Sequence, residues 1–137
     1  MSGEKDLNKL IASMTPILTE KEYVFGTLNA YTADDLATLN PISTFQEKEG
    51  LTVVVLKENA EAHNLAFSGV FRCITLSVHS SLDAVGLTAA IAAKLTEANI
   101  SANVIAAYYH DHVFVASKDA EAALLKLNEL ACESNEN

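Results

Sequence analysis

The sequence predicts an α+β fold: antiparallel, ferredoxin-like sheets with helices on one face, built from two related halves. Strand-like apolar runs alternate with helical stripes along the 137 residues, which is the first observation behind this prediction. The second is that the order of these elements recurs along the chain. The third is composition, because half of the residues are hydrophobic and a chain of this length can bury a core without disulfides.

The elements of the first half are unevenly spaced. Apolar residues at helical spacing predict a helix over residues 7–14, which should end before Pro16. Strand patterns follow at residues 23–28 and 51–56, and a short helix is predicted after the second of them. Residues 31–50 are the least regular stretch, with several turn signals and at most a short extra strand.

The second half is more regular. Apolar and polar side chains alternate in residues 71–79, which predicts a strand with one buried face. A helical stripe comes next, followed by strands at residues 103–109 and 112–116 and by a last helix. Between these two strands, the pair His110-Asp111 is predicted to form a tight hairpin turn.

Two constant spacings suggest an internal repeat. An offset of 80 residues aligns the first predicted helix and strand with those that follow residue 80, and an offset of 60 aligns Val53 with Val113. The offset changes within the irregular stretch, where an insertion is tolerated. The sequence therefore predicts one domain made of two related halves, residues 1–66 and residues 67–137.

Acidic residues dominate the charge, with eighteen against nine basic residues and a formal net charge of −9. No lysine or arginine cluster could neutralise phosphates, so we expect neither a nucleic-acid partner nor binding to an anionic membrane. No segment approaches the roughly 20 consecutive apolar residues of a membrane span, and the first residues lack the apolar core of a secretory signal. Two isolated cysteines, Cys73 and Cys132, fit a reducing compartment, so we expect a cytoplasmic protein.

The sequence shows no motif for catalysis. Cys73 is predicted inside a strand without a neighbouring base, and the glycine patterns that bind phosphates or dinucleotides are absent. Residues 108–112 (YYHDH) suggest a metal, but their two histidines would share a strand face only if no turn came between them. We therefore expect exposed histidines at a turn, no metal, no cofactor and no enzymatic activity.

The junction between a strand and a helix at residues 78–87 carries the most chemical information. Ser80 and Asp83 match a capping box, so an ordinary helix N-cap is one interpretation. The other is an anion site, because free backbone N–H groups and the helix dipole favour a carboxylate, and Gly86 lets a ligand approach the backbone. Asp83 argues against a phosphate but not against a zwitterion, whose ammonium group can lie near an acid. The two interpretations are compatible.

The run of residues 74–127, from ITLSVHSSLDAVG to EAALLKL, resembles an ACT domain, a small amino-acid-sensing regulatory module. With EGLTVVVLKENAEA upstream, the chain is similar to small stand-alone bacterial proteins made of two ACT-like halves. The resemblance implies sheets packed side by side, and amino-acid ligands held at an ACT–ACT interface by the loop after the first strand. Carried over by position, it implies that the ligand-binding residues are Ser80, Ser81, Leu82, Asp83, Ala84, Val85 and Gly86, with Asn103, Val104 and Ile105 on the facing strand.

Two departures from the family pattern leave the number of sites open. The first half begins with its helix and lacks the equivalent leading strand, so its ligand loop would fall near residues 3–6. The second half ends after its last helix without a clear fourth strand. Asn103 also has two interpretations, since an amide in a strand is either a solvent-facing edge residue or a donor and acceptor for a ligand.

The sequence thus favours a regulatory or sensor module that binds a free amino acid and works as a homo-oligomer. Four apolar candidates weakly favour an apolar or aromatic ligand side chain: Leu82, Val85, Val104 and Ile105. The alternative is a non-catalytic oligomerisation or protein-interaction module without a small ligand. A metal-dependent enzyme built on residues 108–112 is a third hypothesis.

Overall fold

The computed structural model describes residues 6–77 and 86–135. They form two compact units, a larger one (Met1–Glu20 with Arg72–Asn137) and a smaller one (Lys21–Phe71). The elements in chain order are α1 (Leu7–Ser13), β1 (Pro16–Leu28), α2 (Ala33–Leu39), β2 (Ser43–Gln46), β3 (Leu51–Leu56), α3 (Lys57–Ala62), β4 (Phe71–Leu76), α4 (Leu87–Glu97), β5 (Asn103–Ala106), β6 (Asp111–Ala116), a 3₁₀ helix (Ser117–Asp119) and α5 (Ala120–Asn135).

The predicted fold class is confirmed, since each unit contains a sheet and helices. In the smaller unit the strand order is β2-β3-β1, and both pairings are antiparallel. In the larger unit the order is β1-β4-β6-β5, where β1 contributes its first five residues and β5 pairs antiparallel with β6. No helix within residues 6–77 and 86–135 is long and apolar enough to cross a membrane.

The first two helices begin at side-chain caps. Asp6 accepts a hydrogen bond from the Lys9 backbone N–H at 3.1 Å, and α1 ends before Pro16, as the sequence predicts. In α2 the Thr32 hydroxyl and the Asp35 carboxylate accept hydrogen bonds from each other's backbone N–H, a complete capping box. Sequence reasoning missed α2, because seven residues carry too short a stripe to recognise.

The two hairpins share one register. Thr44 lies opposite Val53 in the smaller unit, and Val104 lies opposite Val113 in the larger one. All four pairs of β2 with β3 have counterparts 60 residues later in β5 and β6, and the burial pattern along β3 is the same as along β6. The offset of 60 is therefore a structural repeat.

The offset of 80 is wrong, because it aligns β1 with β5, whereas the counterpart of β5 is β2. Consequently the first half does have a leading strand, β1, and the loop after it is residues 29–32 rather than 3–6. The misalignment arose because any two amphipathic helices have similar apolar spacing, and so do any two half-buried strands. The division at residue 66 stays a prediction about the sequence repeat.

The larger unit is completed by the N-terminal segment. The sequence left open how the second half completes its sheet, and the start of β1 fills that place beside β4. The Arg72 side chain donates to the Thr19 carbonyl at 3.1 Å, and the Ser77 N–H donates to the Thr15 carbonyl at 3.2 Å. Helix α1 packs on α4 and α5, with Leu10 fully buried in the core.

Each unit has its own apolar core. In the larger unit α4 and α5 bury side chains against β4 and β6. Lys94 of α4 also forms ion pairs with α5, where its ammonium contacts Glu133 at 2.6 Å and Glu129 at 3.7 Å. The hydrogen bond to Glu133 raises the pKa of Lys94. In the smaller unit the core consists of Val24, Leu39, Leu51, Val53, Val55 and Ala60.

The placement of α1 can be tested by truncating its buried face. We expect Leu10→Ala to lower the free energy of unfolding by about 2–5 kcal/mol, because the cavity lies in a packed core. The control Asn8→Ala, on the exposed face of the same helix, should change it by less than about 0.5 kcal/mol. Urea unfolding measures both, and equal effects of the two variants would contradict the packing of α1 in the core.

Candidate ligand-binding site

The predicted ligand loop is only partly described by the structure. Six of its residues lie outside the described residues, which stop at 77 and resume at 86: Ser80, Ser81, Leu82, Asp83, Ala84 and Val85. Gly86, Asn103, Val104 and Ile105 are described, all in the larger unit.

Gly86 is the N-cap of α4, with a left-handed backbone at φ 97°. Its carbonyl accepts the Ala90 N–H at 2.9 Å, and no described side chain caps the helix. A Cβ at this position would lie 3.1 Å from the Leu7 Cδ2 atom. The left-handed backbone of Gly86 is also one that residues with a side chain rarely adopt. The N-cap of α4 is therefore Gly86, whereas Ser80 and Asp83, the predicted capping box, lie outside the described residues.

The three candidates on β5 divide between the two faces of the strand. Val104 packs on the core of the larger unit, as the period of two requires for a residue opposite Val113. Asn103 and Ile105 point the other way; Asn103 is exposed and its amide donates to the Phe114 carbonyl at 3.4 Å. Because β5 is an edge strand, the amide can still turn towards a ligand.

The hairpin turn lies earlier than the sequence predicts. The Ala107 N–H donates to the His110 carbonyl at 3.1 Å, so the turn spans residues 107–110 and Asp111 opens β6. Tyr108 and Tyr109 form its tip and are 68% and 65% exposed. The sequence prediction placed the turn too late because tyrosine favours strands. The position of the turn is determined by the pairing of β5 with β6.

The predicted exposed histidines are also wrong in part. His112 is half-buried, and its Nδ1 atom lies 3.0 Å from the Thr75 hydroxyl, which in turn lies 3.9 Å from the Cys73 sulfur. Burial lowers the pKa of His112 and raises the pKa of the Cys73 thiol, so both groups are neutral near neutral pH. Within residues 6–77 and 86–135 no three histidine, cysteine or acidic side chains come together as metal ligands.

The unexpected feature of this region is the burial of Asp111, a residue that is 7% exposed. Burial raises its pKa, while the neighbouring His112 and His110 oppose that shift. Its counterpart in the repeat is Leu51, a core residue that is 6% exposed. Sequence reasoning assigned Asp111 to a turn, although the alignment of LTVVVL with DHVFVA held the signal.

This carboxyl group should reduce stability at neutral pH. We expect Asp111→Leu to raise the free energy of unfolding by about 1 kcal/mol, because an apolar side chain replaces a buried charge. The isosteric variant Asp111→Asn removes the charge alone and should give part of this gain.

The sign of the pH dependence follows from the raised pKa. The folded wild-type chain holds its Asp111 proton to higher pH than the unfolded chain, whose pKa is near the ordinary 3.8. Its stability therefore falls as the pH rises through that window, and the advantage of Asp111→Asn is present at neutral pH and lost in acid. Urea unfolding at several pH values measures this, and an advantage that grows in acid would contradict it.

Two solved structures match most of the chain. A Vibrio cholerae protein of unknown function, described as a possible transport protein, is 52% identical and has a TM-score of 0.83; the match covers 93% of this chain and 97% of that one. An Agrobacterium tumefaciens protein is 18% identical, with a TM-score of 0.70 over 86% of this chain and 89% of its own.

The regulatory subunit of aspartate kinase from Thermus thermophilus shares the fold at 11% identity, with a TM-score of 0.58 over 86% of this chain and 98% of its own. No curated protein matches the sequence. Two family models, both described as ACT domain, match residues 2–72 and 69–129, which confirms the resemblance. The chain therefore belongs to the ACT-domain family, with two ACT domains in succession.

Proposed function

We propose that this protein is a non-catalytic regulatory module that binds a free amino acid and transmits its occupancy through a change in assembly or in a partner contact. The observation that carries the proposal is the pair of ACT domains in one chain. The fold it shares with regulatory subunits of aspartate kinase supports a regulatory role but not a particular ligand.

The start of α4 is the proposed place for the ligand carboxylate. Gly86 carries no side chain, and no described side chain occupies the N–H groups of this eleven-residue helix, which therefore can donate to an anion. Asn103 would supply an amide from β5, with Ile105 beside it on the same strand face, and the remaining contacts would come from residues 79–85; Val104 packs on the core and would support the strand from the other face. The net charge of −9 disfavours multiply charged anions, whereas a zwitterion carries no such penalty.

One site per chain follows from comparing the two helix starts. In α2 the Thr32 hydroxyl and the Asp35 carboxylate already occupy the terminal N–H groups, so a carboxylate would have to displace them. In α4 no described side chain does this. We therefore place the ligand at the junction of the larger unit.

A thermal-shift screen of the twenty amino acids at millimolar concentration tests the proposal. We expect one or a few of them to raise the melting temperature, since a ligand that binds only the folded state stabilises it. Gly86→Leu should abolish the ligand-induced shift, because its Cβ would meet Leu7 and the left-handed backbone at the helix start would have to change.

The matched control is Ala93→Leu, which adds a large side chain to the exposed middle of the same helix and should keep the shift. The shift is compared within each variant, so a lower melting temperature of Gly86→Leu does not affect the result. A wild-type chain that responds to no amino acid would contradict the proposal. A shift that survives Gly86→Leu would place the ligand elsewhere.

The alternative function, a protein-interaction module without a ligand, is favoured by the exposed aromatic side chains. Phe45 on β2 is 71% exposed, and Tyr108 and Tyr109 stand at the hairpin tip. Light scattering with and without the amino acids separates the two functions. We expect the assembly state to change with a ligand that shifts the melting temperature; an assembly that is indifferent to every amino acid favours the alternative.

A further inference from the structure

We propose that the smaller unit binds an extended peptide segment of a partner protein, which pairs as an added strand with the edge of β1 at Thr27. The segment would lie in a groove of about 620 Å³, between Phe25, Gly26 and Thr27 of β1 on one side and residues 66–68 on the other. This groove lies within the smaller unit and shares no residue with the proposed amino-acid site. The inference therefore goes beyond the proposed function and does not rest on it.

The first argument is that the smaller sheet lacks a strand that the larger sheet has. In the larger unit the leading strand β4 lies between β6 and the start of β1. Hydrogen bonds to the carbonyls of Thr15 and Thr19 place β4 beside that first part of β1, and not beside residues 26–28. In the smaller unit, which is described in full, the second part of β1 has β3 on one side. On the other side it is bordered by residues 66–68, which form no strand.

The second argument is that Thr27 directs its backbone N–H and C=O groups away from β3. Hydrogen-bonded and non-hydrogen-bonded positions alternate along an antiparallel pair. Glu47 and Gly50 exchange both of their backbone hydrogen bonds, at 2.9 and 3.3 Å, and counting from this pair Val53 points its backbone groups towards β1. Since Val53 lies opposite Gly26, it is Gly26 that bonds to β3. The backbone groups of Thr27 therefore face the groove, and no described backbone group bonds to them.

The third argument is that the groove suits an apolar side chain. It is lined by the rings of Phe25 and Phe67, and an edge-to-face contact with Phe71, whose ring centroid lies 5.2 Å away, orients the Phe25 ring. The Thr52 hydroxyl, which also lines the groove, already donates to the Glu47 carboxylate. Backbone hydrogen bonds would supply the affinity and the apolar walls would select the side chain, as in other cases of strand addition to a sheet edge.

The walls of the groove favour a single segment over a second folded copy of this chain. An entering strand has β1 on one side and residues 66–68 on the other. The edge of a folded sheet carries further strands behind it, spaced about 4.8 Å apart, and these would meet residues 66–68. The occupant is therefore an isolated extended segment. Its apolar residues should alternate, because successive side chains of a strand point to opposite faces.

The test is a selection of random heptapeptides, displayed on phage, against the wild-type chain, followed by isothermal titration of the selected peptides. Thr27→Pro removes the N–H that faces the groove and leaves the bonds to β3, because Gly26 and Leu28 carry them. The matched control Thr27→Val keeps this N–H and loses only the hydroxyl. We expect binding to weaken about 10-fold in Thr27→Pro, the loss of one hydrogen bond, and to stay unchanged in Thr27→Val.

Hydrogen exchange of the wild-type chain gives a second readout that needs no variant. The Thr27 amide should exchange at least about 10-fold more slowly with a selected peptide bound, whereas the Gly26 amide, which is bonded to β3, should be protected in both states.

Three outcomes overturn the inference: a selection that yields no peptide, peptides that bind Thr27→Pro as tightly as wild type, and exchange at Thr27 that a bound peptide leaves unchanged. Light scattering covers the remaining occupant. A wild-type chain that self-associates with concentration, while Thr27→Pro stays monomeric, would make a second copy the occupant and overturn the assignment to a partner protein.

Discussion

The burial of Val113 and Val115 on the core face of β6 is the constraint on which the larger unit depends. Val113 and Val115 are fully buried on the core face, and their pairing with β5 fixes which residues share that face. Because the side-chain period of a strand is two, a slip of one residue would turn both valines away from this core and point Phe114 into it. The register that protects the core therefore also turns Asp111 inward, whatever the preference of its carboxyl group.

The same constraint acts in β3, where every side chain on the core face is apolar. Leu51, Val53 and Val55 all lie in the core of the smaller unit, so that unit meets the register without a polar exception. Among their inward positions, β3 and β6 differ only where Leu51 corresponds to Asp111, and there the larger unit carries an acid. Asp111 is a buried acid, whereas its counterpart Leu51 is the apolar residue that this position favours. A position of this kind is where function is expected to oppose stability.

The sequence was most informative where local pattern and burial agree. Residues 51–56 were predicted without error as β3, because a run of β-branched and apolar residues carries both the propensity and the burial of a central strand. Helix α2 and the position of the hairpin turn were not predicted, since a seven-residue helix has little periodicity and two tyrosines favour a strand. The burial of Asp111 depends on pairing with a distant segment, which propensity cannot express.

The two helix starts show how one repeat can serve two purposes. The N-terminus of α2 is closed by its own side chains, because Thr32 and Asp35 satisfy each other's backbone donors. The N-terminus of α4 has a left-handed glycine instead, and such a cap supplies no acceptor of its own. A glycine in place of a side-chain cap costs only about a few tenths of a kcal/mol, and the buried Asp111 adds a further cost in the same unit. Both costs fall in the larger unit, at its helix start and on its β5–β6 hairpin, while the smaller unit carries neither. An anion at the start of α4, where the proposed function places the ligand carboxylate, would offset the first of these costs.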